Sequence, residues 1–150
     1  MKLQYVFLFL LIFACLIGCK KTDPRKAGLV SASGTITYNG SPLDGATIVF
    51  MPKESAKQGA GALSDASGKF ALTTVSDNDG AYSGEYTVYI LKEEPLQISD
   101  AEALEYSRQG KTPPKPKSLI PVKYTNPDQP LINFTIPAAG EKNLIIELKD

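Results

Sequence analysis

The chain has 150 residues, enough for one domain of ordinary size once a targeting segment is set aside. Lys plus Arg and Asp plus Glu each total 16, so no net field attracts nucleic acid, and no basic patch with interleaved aromatics occurs. The sequence has no histidine, which excludes Ser-His and Cys-His catalytic pairs and most zinc sites. We therefore expect no nucleic-acid partner and no cofactor.

The N-terminus carries an apolar run of fourteen residues, from position 5 to position 18, behind Lys2. A membrane-spanning helix needs about 20 residues, so the run is short for a span and has the length of a signal-peptide core. It ends in LIGC at residues 16–19, which resembles the bacterial lipobox. The resemblance implies cleavage between Gly18 and Cys19 and acylation of the Cys19 thiol. An uncleaved N-terminal anchor is the alternative.

The lipobox resemblance also implies a location. A signal peptide at residues 1–18 and palmitate or a similar acyl group on Cys19 would place a lipoprotein in the cell envelope, anchored to the membrane. Each buried acyl CH₂ contributes about 0.8 kcal/mol, so two or three chains anchor a protein without a spanning helix. Lys20, where the enteric sorting scheme has Asp for inner-membrane retention, favours the outer membrane or the cell surface. Residues 19–28 are predicted to be the lipidated cysteine and a flexible tether, and Cys15 lies in the discarded segment.

From residue 29 onward, short alternating runs are separated by Gly, Asn, Asp and Pro, the pattern of an all-β sandwich or barrel. Strands are predicted in GTITYNG, ATIVFMP, GKFALTTV, GEYTVYIL, LINFTIP and NLIIELKD, in that order. Alternation places Ile48 with Phe50 on one face and Tyr86 with Val88 on another core face, and it favours antiparallel pairing. Asn39-Gly40 predicts a tight turn.

Three short motifs occur in these segments: PLDGA at residues 42–46, D-x-x-G-x-F at residues 65–70 and Gly-x-Tyr at residues 84–86. Together they resemble the carboxypeptidase regulatory-like domain of the wider transthyretin-like group, over about residues 33–91. The C-terminal part resembles that of small bacterial lipoproteins built on this domain. The resemblance implies a seven-stranded Greek-key β-sandwich over residues 29–150, and it implies no activity.

Residues 92–118 form an insert in the expected domain. Ser99 followed by Glu102 has the pattern of a capping box, and with Gly110 as a stop it predicts a short helix over residues 100–109. The next segment, KTPPKPK, is predicted to be extended and polyproline-like. Two interpretations of the insert stay open, a solvated connection between strands and a functional segment.

Candidate site residues are few. Asp77, Asp79 and Glu85 lie near glycines and offer oxygen ligands for Ca²⁺, but such acidic loops are usually ordinary turns, and no metal site is assigned. The Asp of DASGK, Asp65, is expected to cap its own turn. Four tyrosines are candidates for a ligand or partner surface: Tyr82, Tyr89, Tyr106 and Tyr124.

The sequence argues against catalysis. Hydrolases of the transthyretin-like group use histidines and a characteristic C-terminal tetrapeptide, whereas this chain has no histidine and ends in ELKD, and it has no G-x-S-x-G motif. We expect a non-catalytic, lipid-anchored binding or structural module whose partners are the membrane, through Cys19, and envelope proteins or glycans. The alternative is a solute- or glycan-binding lipoprotein that uses residues 93–117 and adjacent loops.

Overall fold

A computed structural model describes residues 23–96 and 98–150. The predicted signal peptide, the cleavage site at Gly18 and the lipidation site at Cys19 lie outside these residues. Within them, no helix is both long enough and apolar enough to cross a membrane.

The described chain is mostly β. Its strands are β1 (Leu29–Val30), β2 (Ala32–Tyr38), β3 (Ser41–Pro42), β4 (Thr47–Pro52), β5 (Ala60–Leu63), β6 (Lys69–Ala71), β7 (Ala81–Tyr82), β8 (Gly84–Leu91), β9 (Ile132–Ile136) and β10 (Glu141–Leu148). Its helical elements are α1 (Asp100–Arg108) and 3-10 turns at Pro24–Lys26 and Val122–Tyr124. All six predicted strands are present. The prediction missed β5, because Ala60, Gly61 and Ala62 carry little β signal, and it missed the two-residue strands β1, β3 and β7.

Two larger sheets account for most of the strands. One has the order β5-β4-β8-β9 with antiparallel neighbours throughout. In the other, β2 pairs with β10 along one edge and with β3 and β6 along the opposite edge. The short strands β1 and β7 pair separately. This arrangement is consistent with an all-β sandwich.

The β10–β2 pair is parallel, with Leu144 opposite Gly34 and Leu148 opposite Tyr38. This differs from the antiparallel pairing that the alternation suggests. Alternation reports which face a side chain takes, and it does not report the direction of the neighbouring strand. The turn between β9 and β10, closed by Gly140 N donating to Pro137 O at 2.9 Å, carries the chain from one sheet to the other, so the two strands form no hairpin.

The core contains the alternating residues of both sheets. Ile48, Phe50, Tyr86 and Val88 are all buried, which confirms the predicted core faces of β4 and β8. The rings of Phe50 and Tyr86 meet edge to face, with centroids 5.8 Å apart. The Tyr86 hydroxyl donates to the Tyr82 carbonyl at 2.8 Å, so the buried oxygen has a partner. Burial raises the pKa of Tyr86.

The predicted turns form as their residues require. Asn39 and Gly40 have φ of 49° and 82° between β2 and β3, which are the positive values of a type I′ hairpin. In the DASGK turn, Asp65 Oδ1 accepts from Ser67 N at 2.8 Å and from Lys69 N at 2.9 Å. The expectation that Asp65 caps its own turn is confirmed.

The strand directions define two ends of the sandwich. At one end, here called the N-terminal end, β8 begins at Gly84 opposite the last residue of β9, Ile136. The Tyr82 hydroxyl, just before β8, donates to the Arg25 carbonyl and so holds the N-terminal segment at this end. At the other end, here called the insert end, β8 finishes at Leu91 and the insert begins. The eight residues of β8 separate the two ends by about 24 Å.

Candidate functional site

Main-chain pairing closes the base of the insert, residues 92–118. Glu93 and Ser118 form an antiparallel bridge. Next to it, Leu119 N donates to Lys92 O at 2.7 Å. The first and last residues of the insert therefore lie side by side at the insert end of the sandwich. We call this closed segment the insert arm.

Helix α1 of the insert arm begins at a complete capping box. The Ser99 hydroxyl oxygen accepts from Glu102 N at 3.3 Å, and Ser99 N donates to Glu102 Oε2 at 2.8 Å. The Ser99 N–H and hydroxyl lower the pKa of Glu102. Because α1 runs from Asp100 to Arg108, the helix predicted over residues 100–109 is confirmed.

The same helix ends in a Schellman motif. Gly110 has φ of 63°, which returns the chain past the last turn. Lys111 N then donates to Tyr106 O at 2.9 Å, and Gly110 N donates to Ser107 O at 3.1 Å. The two caps satisfy backbone groups that a short helix would otherwise leave to water.

These caps matter because α1 has no buried residue, and 53% of the Leu104 surface is exposed. A helix of nine residues is marginal on its own, and most helices gain their stability from packing. Helix α1 instead depends on its local sequence. The result is a helix that is presented to solvent from the insert end.

One side of α1 lines a groove of about 330 Å³, formed by Glu102, Glu105, Tyr106, Gln109 and Lys111. Gln109 Nε2 donates to Glu105 Oε1 at 2.6 Å, which orients both side chains. The half-buried Tyr106 ring lies among carboxylate, amide and ammonium groups. An aromatic face with hydrogen-bonding groups around it can take up a polyhydroxylated solute, by stacking and by hydroxyl hydrogen bonds.

Charge is segregated along the insert arm. Apart from Lys92 at its base, the first half carries only acidic charged side chains and the second half only basic ones: Glu93, Glu94, Asp100, Glu102 and Glu105, then Arg108, Lys111, Lys115 and Lys117. Among the described residues, ion pairs form elsewhere and none involves these side chains. Glu102 and Glu105 form hydrogen bonds at α1, whereas the four basic side chains of the second half are exposed.

The acidic loop considered for calcium is folded around Asp79. Its carboxylate accepts from Thr74 N at 2.9 Å and from Ser76 N at 2.7 Å, and it lies 3.9 Å from Lys26 Nζ. Burial opposes ionisation of Asp79, but these N–H groups and the Lys26 ammonium outweigh it and lower the pKa of the carboxyl. The Asp79 oxygens are occupied by the loop itself.

The other two candidate calcium ligands, Glu85 and Asp77, do not share the contacts of Asp79. Glu85 Oε2 accepts from Lys53 Nζ at 3.1 Å, and Asp77 is exposed. No group of three His, Cys, Asp or Glu side chains suited to a metal ion occurs in residues 23–96 and 98–150. The structure therefore does not bring Asp77, Asp79 and Glu85 together.

The four candidate tyrosines belong to different elements. Tyr82 is held at the N-terminal end, and the Tyr124 hydroxyl bonds the backbone of Lys149 at 3.1 Å. Tyr89 is half-buried on β8, opposite Val49 of β4 and therefore on the outer face of the sheet. Tyr106 alone of the four lines the groove of the insert arm. The structure does not join them into one surface.

The described part of the predicted tether, residues 23–28, contains a short 3-10 turn, and its Arg25 carbonyl accepts from the Tyr82 hydroxyl. Asp23 caps the 3-10 turn by accepting from Arg25 N at 3.0 Å, and its carboxylate pairs with the Arg25 guanidinium at 2.7 Å. The hydrogen bond from Arg25 lowers the pKa of Asp23 to about 2. The turn could have been predicted from the sequence, because a Pro occupies its first position behind polar residues.

A second groove, which the sequence did not predict, lies on the outer face of the β2 sheet and is lined by Lys69 and Lys142 among others. These lysines lie 73 positions apart in the chain, so only the strand pairing brings them to one face. Alternation along β2 predicted that Thr35 lies on the face opposite to Ile36. This was the one local sequence feature that pointed to the groove.

Comparison of the chain with protein-family models, with curated proteins and with solved structures gives no match in any of the three. A function can therefore be proposed only from the insert arm, its groove and the two ends of the sandwich.

Proposed function

We propose that the protein is a non-catalytic, lipid-anchored β-sandwich of the cell envelope, a module that holds its insert arm away from the membrane for binding or structural purposes. One observation carries the proposal. The N-terminal segment is fixed at one end of the sandwich and the insert arm leaves the opposite end.

The dimensions of the chain support this orientation. Cys19 and Asp23 are four positions apart, and four Cα–Cα steps extend about 14 Å at most. A lipid on Cys19 would therefore keep the N-terminal end next to the membrane. The insert arm would begin about 24 Å further out, at the end of β8.

The anchor is tested by Cys19→Ser in the full chain, expressed in a bacterium. We expect loss of labelling by a palmitate analogue and accumulation of an unprocessed or soluble form, because the acyl chains supply the membrane affinity. Cys15→Ser is the matched control and should be labelled and retained normally. Unchanged membrane retention of the Cys19→Ser protein would contradict the proposed lipid anchor.

We also infer the Greek-key arrangement of the transthyretin-like group for this sandwich. Seven strands have three or more residues, as that arrangement requires, and the chain passes repeatedly from one sheet to the other. The parallel β10–β2 pair joins the first long strand to the last. An experimental structure that pairs β10 with a different strand would contradict the inference.

A second candidate function is favoured by the groove beside α1, which suits a solute or glycan that binds through the insert, residues 93–117. Tyr106 would supply the stacking face, and Glu105 with Gln109 the hydrogen bonds. A glycan array probed with the full chain identifies a ligand. Tyr106→Ala should then weaken its binding about tenfold, whereas the half-buried Tyr89→Ala should not. If no glycan binds, or if both variants bind equally well, the proposal of a glycan site is contradicted. The proposal of a lipid-anchored module is not affected by that result.

A further inference from the structure

An open groove of about 400 Å³ lies on the outer face of the β2 sheet. Its floor is β2, whose alternation turns Ser33 and Thr35 away from the buried side of Ile36. Across the sheet, Thr35 is flanked by Lys69 of β6 and by Ile145 of β10. The groove therefore has a hydroxyl-bearing floor, with a lysine at one wall.

A second lysine reaches the opposite wall because β10 is irregular there. The register of β10 against β2 shifts between Glu141 and Leu144, and Lys142 lies within the shift. The Ser33 hydroxyl donates to the Lys142 carbonyl at 3.4 Å, which places Lys142 beside the floor. The strands β6 and β10 flank β2 on its two sides, so their backbones are about 10 Å apart. Two flexible ammonium groups can thus approach one bound group from both sides.

Lys69 and Lys142 are the two charged residues among the nine that line the groove. The groove is lined by no acidic residue, and neither Lys69 nor Lys142 forms an ion pair with any residue that the structure describes. The acid nearest in sequence, Glu141, accepts from Asn143 N at 2.9 Å. Glu147 lies further along β10, opposite Thr37. Neither lysine is paired with a carboxylate, and the carboxylates nearest along the chain, Asp65 and Glu141, accept backbone N–H groups instead.

We propose that this groove binds a phosphate group, carried either by a phosphate ester or by a polyphosphate chain. Lysine ammonium groups bind phosphate as point charges, and hydroxyl and amide donors can complete the oxygen contacts of a tetrahedral anion. Thr35 and Asn143 line the groove and carry such donors, whereas the Ser33 hydroxyl donates to the Lys142 carbonyl. Ile145, with 63% of its surface exposed, offers apolar contact to the organic part of the ester. This proposal does not depend on acylation of Cys19.

The test uses the full chain purified in a maltoside detergent, which contains no phosphate. Titration with polyphosphate measures the affinity for a soluble phosphate polymer. Replacing both groove lysines, Lys69→Gln with Lys142→Gln, should raise the Kd about tenfold or more, because two close charges are lost. The charge-matched control replaces two exposed lysines of the insert arm, Lys115→Gln with Lys117→Gln, and should bind as the parent does. Circular dichroism confirms that both variants fold.

A second titration, with short-chain phosphatidylglycerol below its micelle concentration, identifies the source of the phosphate. Binding of this lipid that the groove variant loses assigns the site to a membrane headgroup. Binding of polyphosphate alone assigns it to a soluble or polymeric phosphate. Equal weakening in the control variant would show that overall charge is responsible and would overturn the proposal. Failure of the parent chain to bind either probe would overturn it as well.

Discussion

At the scale of single residues, Asp79 shows how one carboxylate can organise a loop that otherwise looks like a cation site. Asp77 and Asp79 are two positions apart in SDNDG, and the sequence does not distinguish them. The structure does, because Asp79 accepts backbone N–H groups from residues 74–76 and lies near Lys26, while Asp77 is exposed. Asp79 thus links the loop before β7 to the N-terminal segment.

Asp79→Asn should lower the free energy of unfolding by about 1–3 kcal/mol, because an amide is a weaker acceptor and leaves a backbone N–H group unsatisfied. The pKa of Asp79 is lowered in the folded protein from its ordinary value of 3.8. Its stabilising contribution is therefore complete above that value and is lost as the pH falls through the lower, folded pKa. The variant should lose this part of the acid dependence.

Urea unfolding of both proteins between pH 7 and pH 2 measures the effect. Asp77→Asn, which removes the same charge from an exposed position in the same loop, is the matched control. It should change the free energy of unfolding by no more than about 0.5 kcal/mol. Equal effects of the two substitutions would contradict the role given to Asp79.

At the scale of elements, α1 is specified by its own sequence. Both of its caps form, it has acidic residues in the first turn and Arg108 in the last, and it buries no residue. Ser99→Ala removes the hydroxyl that accepts from Glu102 N and should cost the helix about 1 kcal/mol. Since the sandwich gains nothing from α1, global unfolding should not change.

Amide hydrogen exchange resolves these two effects. Exchange of the α1 amides should become about five- to tenfold faster in Ser99→Ala, with no change in β4 or β8. Ser107→Ala, at an exposed position near the end of the helix, keeps both caps and should leave the exchange rates unaltered. A loss of protection in the strands would show that α1 does pack against the sandwich.

The elements that could be predicted are those whose signal is local. The helix α1 has its caps within thirteen residues, and β4 and β8 alternate clearly enough to give their core faces. β5 could not be found, because its small residues have neither strong propensity nor alternation. The parallel partner of β10 and the groove of Lys69 and Lys142 also escaped, because both depend on which distant strands become neighbours.

At the scale of the whole molecule, the two ends of the sandwich turn a fold into a functional hypothesis. The sequence indicates an anchor at one terminus and an insert within the domain, but not which end of the sandwich each one leaves. That depends on strand direction, since β8 begins beside the N-terminal segment and finishes at the insert. An insert placed after the next antiparallel strand would have left the sandwich at the N-terminal end instead.

This arrangement predicts different distances from the membrane for two labelled positions in the full, acylated chain. Asp77→Cys marks the N-terminal end and Thr112→Cys marks the insert arm, and both positions are exposed. In vesicles with acceptor-labelled lipid headgroups, energy transfer from a dye at position 77 should be strong. Transfer from position 112 should be much weaker, because β8 adds about 24 Å between them.

The parent chain is the control for this experiment, because the proposed processing would acylate the Cys19 thiol and remove Cys15, so the parent should take up no dye. Equal transfer from the two positions would mean that the sandwich lies on its side against the membrane. In that case the insert arm would not be held away from the surface, and its groove would face the headgroups. The Cys19→Ser experiment would still decide the anchor separately, since energy transfer reports orientation and acyl labelling reports attachment.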